Sequence, residues 1–401
     1  MQASTPHPAV APRGIWPLDP SVVYLNHGSF GSCPRPVLEA QAELRERLEA
    51  EPVAFMAREL LGLLDDVRSA LGSFLGANPR DLAPVPNATT AVNAVLFSYP
   101  FEPGDELLVT DHGYNACRNA IELAAERAGA KVVVAHLPFP IASPDEVVDA
   151  VLGEVTARTR FALLDHVTSP TALVLPVERL VPALAERGID TMVDGAHAPG
   201  MLPLDLDALG ACFYTGNAHK WLCAPKGAAF LHVRADRQEL VRPVTISHGA
   251  NAPAGERSKF LLEFDWCGTD DPTAWLSIPK ALETIGGLSP EGWPGVLRAN
   301  RDLALEGRRL LLDALGTPAP APEEMIGSIA TVLLPEDPQA PAPLEHSAFD
   351  VDPLQQRLFD EHRIEVPVMH CAATPARLLR ISAQVYNNRR EYELLADVLR
   401  G

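Results

Sequence analysis

Thr191-Met192-Val193-Asp194-Gly195-Ala196-His197 and, further on, Ala211-Cys212-Phe213-Tyr214-Thr215-Gly216-Asn217-Ala218-His219-Lys220-Trp221 repeat one arrangement. A short apolar run that reads as a buried strand ends in polar, titratable residues. The same arrangement occurs upstream. Leu107 to Thr110 is followed by Asp111, His112 and Tyr114, and Phe161 to Leu164 by Asp165, His166, Thr168 and Ser169. Val132–Val134 and Ala229–Leu231 add further strand-like runs. Continuous apolar strands belong to parallel sheets covered on both faces. Helical patterns lie between several of them. Leu60, Leu61, Leu64, Val67, Leu71 and Leu75 recur at helical spacing. Ser143-Pro144-Asp145-Glu146 is a helix start, and the pattern from Val177 to Arg187 stops at Gly188. Strand–helix alternation of this kind predicts an α/β fold. Ligands in such folds collect where strands end on their carboxyl side, so four strand ends supply one functional rim.

The texture changes after residue 285. A charged helix over about 297–315, the Pro318–Pro322 loop, a strand at Ile329–Leu333, a second Pro-rich stretch from Pro335 to Pro343 and an amphipathic tail at 391–399 predict a smaller α+β domain. The expected organisation is an N-terminal segment (1–54) that joins the active site and the small domain, a large domain (55–284), and a small C-terminal domain (285–401).

Composition sets outer limits. The chain has 401 residues, 47% hydrophobic and 21% charged, enough for a sizeable core. Its net charge of −19 argues against nucleic acid or an anionic membrane as the main partner. The six cysteines form no CxxC pair, and neither HExxH nor paired-histidine spacing supports a metal site. No apolar run is long enough to cross a bilayer, and Met1–Pro20 lacks a signal pattern, so the expectation is a soluble, cytoplasmic protein.

Six motifs in order resemble one family, the class V aminotransferases of fold type I, whose cofactor is pyridoxal 5′-phosphate (PLP). Asn217-Ala218-His219-Lys220-Trp221 with Pro225-Lys226-Gly227 is similar to their Schiff-base loop, and Asp194-Gly195-Ala196-His197 to their Asp-Gly-Ala-[His/Gln] motif. Asn87-Ala88-Thr89-Thr90 is similar to the phosphate-binding turn, and Leu379-Arg380-Ile381-Ser382 with Tyr386-Asn387 to the carboxylate-binding segment. Tyr24 to Gly31 and Trp266-Cys267-Gly268-Thr269-Asp270 resemble the isopenicillin-N epimerase-like branch.

The resemblance implies roles. A cofactor aldehyde is held by an amine, so Lys220 is the expected Schiff-base residue and proton carrier at Cα, with Lys226 as its competitor. Asp194 would keep the pyridine nitrogen protonated. Ala88, Thr89, Asn217 and His219 would hold the phosphate, joined by Thr269 from a neighbouring subunit, which implies a homodimer with shared active sites. His112 would stack on the cofactor ring, or Tyr114 would; Tyr114 is otherwise an acid over the substrate. His197 and Ser169 would approach the phenolic oxygen, with Thr168 close by. Arg380 would clamp the substrate α-carboxylate, Arg377 being a solvated neighbour. Asn26, His27 and His248 would line the substrate pocket. Cys371 stands roughly where cysteine desulfurases carry their persulfide cysteine, though nearer the arginine, and is read as a packing residue.

These features imply an enzyme acting at Cα of an amino acid, most like an epimerase. C–S β-lyase and aminotransferase chemistry remain alternatives, and a non-catalytic protein that keeps the fold is a further one.

Overall fold

The computed structural model describes residues 13–253, 255–336, 351–371 and 373–400. Residues 1–12 of the Pro-rich N-terminus and 337–343 of the second Pro-rich stretch lie outside them. The strands are β1 (Val23–Tyr24), β2 (Leu82–Val85), β3 (Glu106–Thr110), β4 (Lys131–Ala135), β5 (Thr159–Asp165), β6 (Asp190–Asp194), β7 (Phe213–Asn217), β8 (Ala229–Val233), β9 (Ile329–Leu333), β10 (Ile364–Glu365), β11 (Val368–Cys371) and β12 (Thr374–Ser382).

Strands β2 to β8 form one seven-stranded sheet in the order β2-β8-β7-β6-β5-β3-β4. Only β8 runs antiparallel to its neighbours. The apolar strands thus pair as their composition demands, and each face carries its own core. Leu108, Ala162, Leu164, Val193, Tyr214 and Phe230 belong to one cluster, and Leu107, Val109, Phe161, Met192 and Leu231 to the other. The strand order reverses between β3 and β5, which opens a crevice at their carboxyl ends. One edge strand, β2, has no counterpart in the sequence reading. Its Pro84 breaks the strand signature, but proline is tolerated at an edge.

A second, three-stranded antiparallel sheet has the order β11-β12-β9. The helices Trp293–Leu315 and Arg389–Arg400 contribute Leu303, Leu311, Tyr392 and Leu395 to the core on which β9 and β12 also pack. The N-terminal segment is built into this part of the molecule. Val23 and Tyr24 pair in parallel with Ile364 and Glu365, and the Leu25 carbonyl accepts a hydrogen bond from Ser382 N–H at 2.8 Å. Residues 26–31 are thereby carried toward the Lys220 turn. Gly31, at φ +70°, passes so close that a Cβ there would stand 2.1 Å from the His219 carbonyl oxygen. Among the described residues no helix is long and apolar enough to cross a membrane.

Candidate active site

Lys220 lies just beyond the end of β7. Its Nζ is 2.9 Å from His197 Nε2, which brings the β6 and β7 rim segments together. Burial and the nearby Arg380 charge lower the lysine pKa to about 7, against the opposing pull of Asp194 and Cys117. An amine with that pKa is substantially unprotonated at neutral pH, the state needed to attack an aldehyde. Burial also holds His197 well below the ordinary histidine range, so its ring is neutral, and its buried Nδ1 has no partner.

Asp194 ends β6 in direct register with Asp165 on β5, and both are buried. Its two oxygens accept from the Ala196 amide at 2.9 Å and the Cys117 thiol at 3.1 Å. Burial and the neighbouring Asp194 push Asp165 well above the carboxylate range, because two buried carboxylates side by side cannot both ionise. Asp165 therefore stays neutral beside Asp194. Close packing demands the glycine after Asp194, since a Cβ at 195 would lie 2.2 Å from the Tyr214 hydroxyl.

The helix Ala88–Ser98 begins at the same rim. Asn217 Oδ1 accepts from the Ala88 amide at 2.9 Å, and Asn87 Oδ1 from the Thr90 amide at 2.8 Å. The Ala88 amide, an expected phosphate donor, is thus bonded to Asn217. The Thr89 amide and hydroxyl remain at the helix start, where the dipole favours an anion. His219 donates from Nδ1 to the Ala228 carbonyl at 3.1 Å, and burial lowers its pKa to about 4.

Arg380 on β12 is 2% exposed. One terminal nitrogen donates to the Ser169 carbonyl (2.6 Å) and hydroxyl (3.1 Å), the other to the Ser29 hydroxyl (2.9 Å). Its Nε is buried without a partner, and no carboxylate among the described residues pairs with it. Ser169 thus holds the arginine. Thr168 bonds to Thr171, whose hydroxyl also meets His112 Nδ1 at 2.8 Å. This chain fixes the orientation of the buried His112 ring, whose Nε2 is unpartnered. Tyr114, 44% exposed, caps the next helix, and burial raises its hydroxyl pKa.

Several expectations change. His27 is fully buried behind the lysine turn, not in a pocket. It accepts from Tyr386 at Nδ1 (2.9 Å) and donates from Nε2 to the Lys220 carbonyl (3.1 Å). Asn26 bonds Glu365 and Ser29. His248 is exposed, in the Ser247–Asn251 turn beside the helix Lys259–Phe264, so it lines no pocket with Lys220 in this chain. Thr269 is exposed in the loop facing the 84–94 segment across a groove of about 370 Å³. Arg377 pairs with Asp352 at 3.2 Å and is not solvated. Lys226 donates to the Gly31 carbonyl at 2.9 Å, which ties down the N-terminal segment. Cys371 is partly buried, with a thiol pKa raised by burial, so the thiolate is disfavoured.

The sequence reading missed Asp165, Cys117, Thr171, Ser29 and Tyr386 as parts of the site. Asp165, Ser29 and Tyr386 stood inside quoted segments but were given no role. Cys117 and Thr171 carried no signal, because only the fold brings them to the rim.

The family model for aminotransferase class-V matches residues 23–285. The chain belongs to this family. Isopenicillin N epimerase of Streptomyces clavuligerus is 36% identical over 400 residues, covering 96% of both chains. A probable chloroplastic L-cysteine desulfhydrase of Arabidopsis thaliana is 32% identical over 408 residues, covering 96% of this chain and 83% of the relative. The solved structure of a C-DES variant with glycine covalently linked to its PLP cofactor superposes with a TM-score of 0.80 at 22% identity. It covers 97% of this chain and 99% of that one, and shows the same fold. The class-V chain is a PLP-dependent enzyme. The rim fits that group: an amine with a lowered pKa, a buried aspartate held by an amide and a thiol, donors at a helix start and a neutral histidine with a spare nitrogen.

Proposed function

We propose that this enzyme is an amino-acid epimerase working at the Cα of a substrate with a free α-carboxylate. The observation that carries the reading is Arg380. A buried guanidinium with an unpartnered Nε and no carboxylate partner among the described residues is a receptor for a carboxylate from solution. PLP, when bound, withdraws electrons from Cα and makes its proton labile.

The chain's own residues then divide the work. Lys220 holds the cofactor aldehyde and, with a pKa of about 7, both takes and returns a proton at neutral pH. Asp194, fixed by the Ala196 amide and the Cys117 thiol, holds the ring nitrogen protonated. Thr89, with Asn217 and His219 beside it, holds the phosphate, and His112 backs the ring. His197 supports the phenolic oxygen. For inversion Lys220 would take the Cα proton and Tyr114, kept protonated, would supply one in its place, solvent exchange restoring both groups. Ser29 and Ser169 aim Arg380, and Thr269 of a second copy completes the phosphate site in a homodimer.

The likeness to a desulfhydrase over nearly the whole chain favours C–S β-elimination as the second reading. Incubation with amino acids in deuterated water separates the two. Epimerisation gives Cα exchange with loss of optical rotation. Pyruvate and sulfide from cysteine, without racemisation, would replace this reading with the lyase one.

A further inference from the structure

Away from the rim, a second cluster of polar groups lies on one face of the large sheet. His232, on β8, sits opposite Tyr214, three strand residues from the Asn217–Ala229 pair at the active end, or about 10 Å. It is 3% exposed, and neither of its ring nitrogens has a hydrogen-bond partner. Nε2 stands 3.7 Å from Asp207 Oδ1, in the short helix Leu206–Leu209. Asp81, buried in the turn Pro79–Asp81, completes a set of three ligand atoms all within 4.8 Å of one another.

We propose that His232, Asp207 and Asp81 form a binding site for one divalent transition-metal ion, separate from the PLP site and structural in effect. The 3.7 Å separation is too long for a hydrogen bond but suits two ligands on one ion, since bonds of about 2.0–2.1 Å place tetrahedral ligands roughly 3.4 Å apart. One imidazole nitrogen and two carboxyl groups form a mixed donor set of the kind that holds a divalent cation. The mixed nitrogen and oxygen set selects zinc, cobalt or nickel over magnesium. Outer partners are in place: Gln238 donates to Asp81 Oδ1 at 2.7 Å, and the Asn78 amide to Asp207 Oδ1 at 3.3 Å. Arg234, whose charge bears on His232, is bound to Asp236 and the Gly210 carbonyl. The exposed Asp207 leaves an entry path and a position for water. Bound metal would join β8, the turn before β2 and the segment after β6.

The test uses PLP-loaded enzyme freed of metal by a chelator, then titrated with zinc chloride, cobalt chloride or magnesium chloride. The expected result is one zinc or cobalt ion per chain, a visible cobalt spectrum of a nitrogen–oxygen site, and a Tm rise of roughly 3 °C with zinc but not magnesium. Asp207→Asn and Asp81→Asn should each lose the Tm rise and the cobalt spectrum while keeping the PLP absorbance. If wild type and both variants respond alike, or if magnesium stabilises as well as zinc, the proposal is wrong and His232 merely faces Asp207.

Discussion

Two buried arginines divide the molecule by purpose. Arg68 is 1% exposed and Arg380 is 2% exposed, and burial lowers both to a pKa of about 10, leaving both charged at neutral pH. Arg68 is saturated. It pairs with Asp265, bonds Asp65 at 2.8 Å and the Leu82 carbonyl at 2.9 Å, lies over the Trp275 ring, and Arg257 closes the network onto Asp265 at 2.5 Å. Among the described residues Arg380 hydrogen-bonds only two serines. A buried charge whose partners are all internal serves the fold, whereas one left without its counter-ion keeps a place for a ligand.

The sharpest break in this comparison is expected at Lys220, the unsaturated rim's nucleophile. Lys220→Ala should lower turnover by about 10³-fold or more, read as Cα proton exchange, while the fold persists. Loss of less than tenfold would move the chemistry to another amine. The arginines should then part company. Arg68→Met strands Asp265 and should cost about 3–5 kcal/mol in chemical denaturation. Arg380→Met should leave stability unchanged or higher, yet raise KM for the amino acid about 10–100-fold. A stability loss at 380 equal to that at 68 would erase the distinction.

The two adjacent aspartates sharpen it further. Asp194→Asn should cut turnover about 100-fold. Asp165→Asn, which replaces an acid already neutral, should change it less than about threefold. Equal losses would mean that Asp165 carries charge.

The smallest effect is on pH. The pKa of Lys220 falls from its ordinary 10.5 to about 7 on folding, so the folded state binds fewer protons than the unfolded between these values. Its stabilising contribution in the apoenzyme is therefore full above about 10.5 and is lost as pH falls through about 7. Cofactor uptake by the apoenzyme should quicken through pH 7. In Lys220→Ala the rise in apoenzyme Tm with pH should be shallower, and an identical slope would refute the lowered lysine.

Much of the rim was legible because parallel strands advertise themselves. Val193 and Tyr214 lie in uninterrupted apolar runs, so the polar residues after them had to fall at strand ends. Lys220 and Asp194 fell at strand ends for the same reason, and the resemblance of their motifs to the class-V family singled them out. What stayed hidden depends on contacts between distant segments. His27 is locked between Tyr386 and the Lys220 carbonyl, 359 and 193 residues away, and nothing in its own neighbourhood distinguishes a pocket residue from a buried brace. Ser169 is drawn to Arg380 across 211 residues. Asp165 looked like one more strand-end carboxylate until its register with Asp194 forced the two charges together.

Borohydride reduction of the PLP-loaded enzyme, followed by peptide mapping, tests the central assignment most directly. The reduced cofactor should be found on Lys220 in stoichiometric yield. Recovery of the label on Lys226, or no fixed label at all, would contradict it.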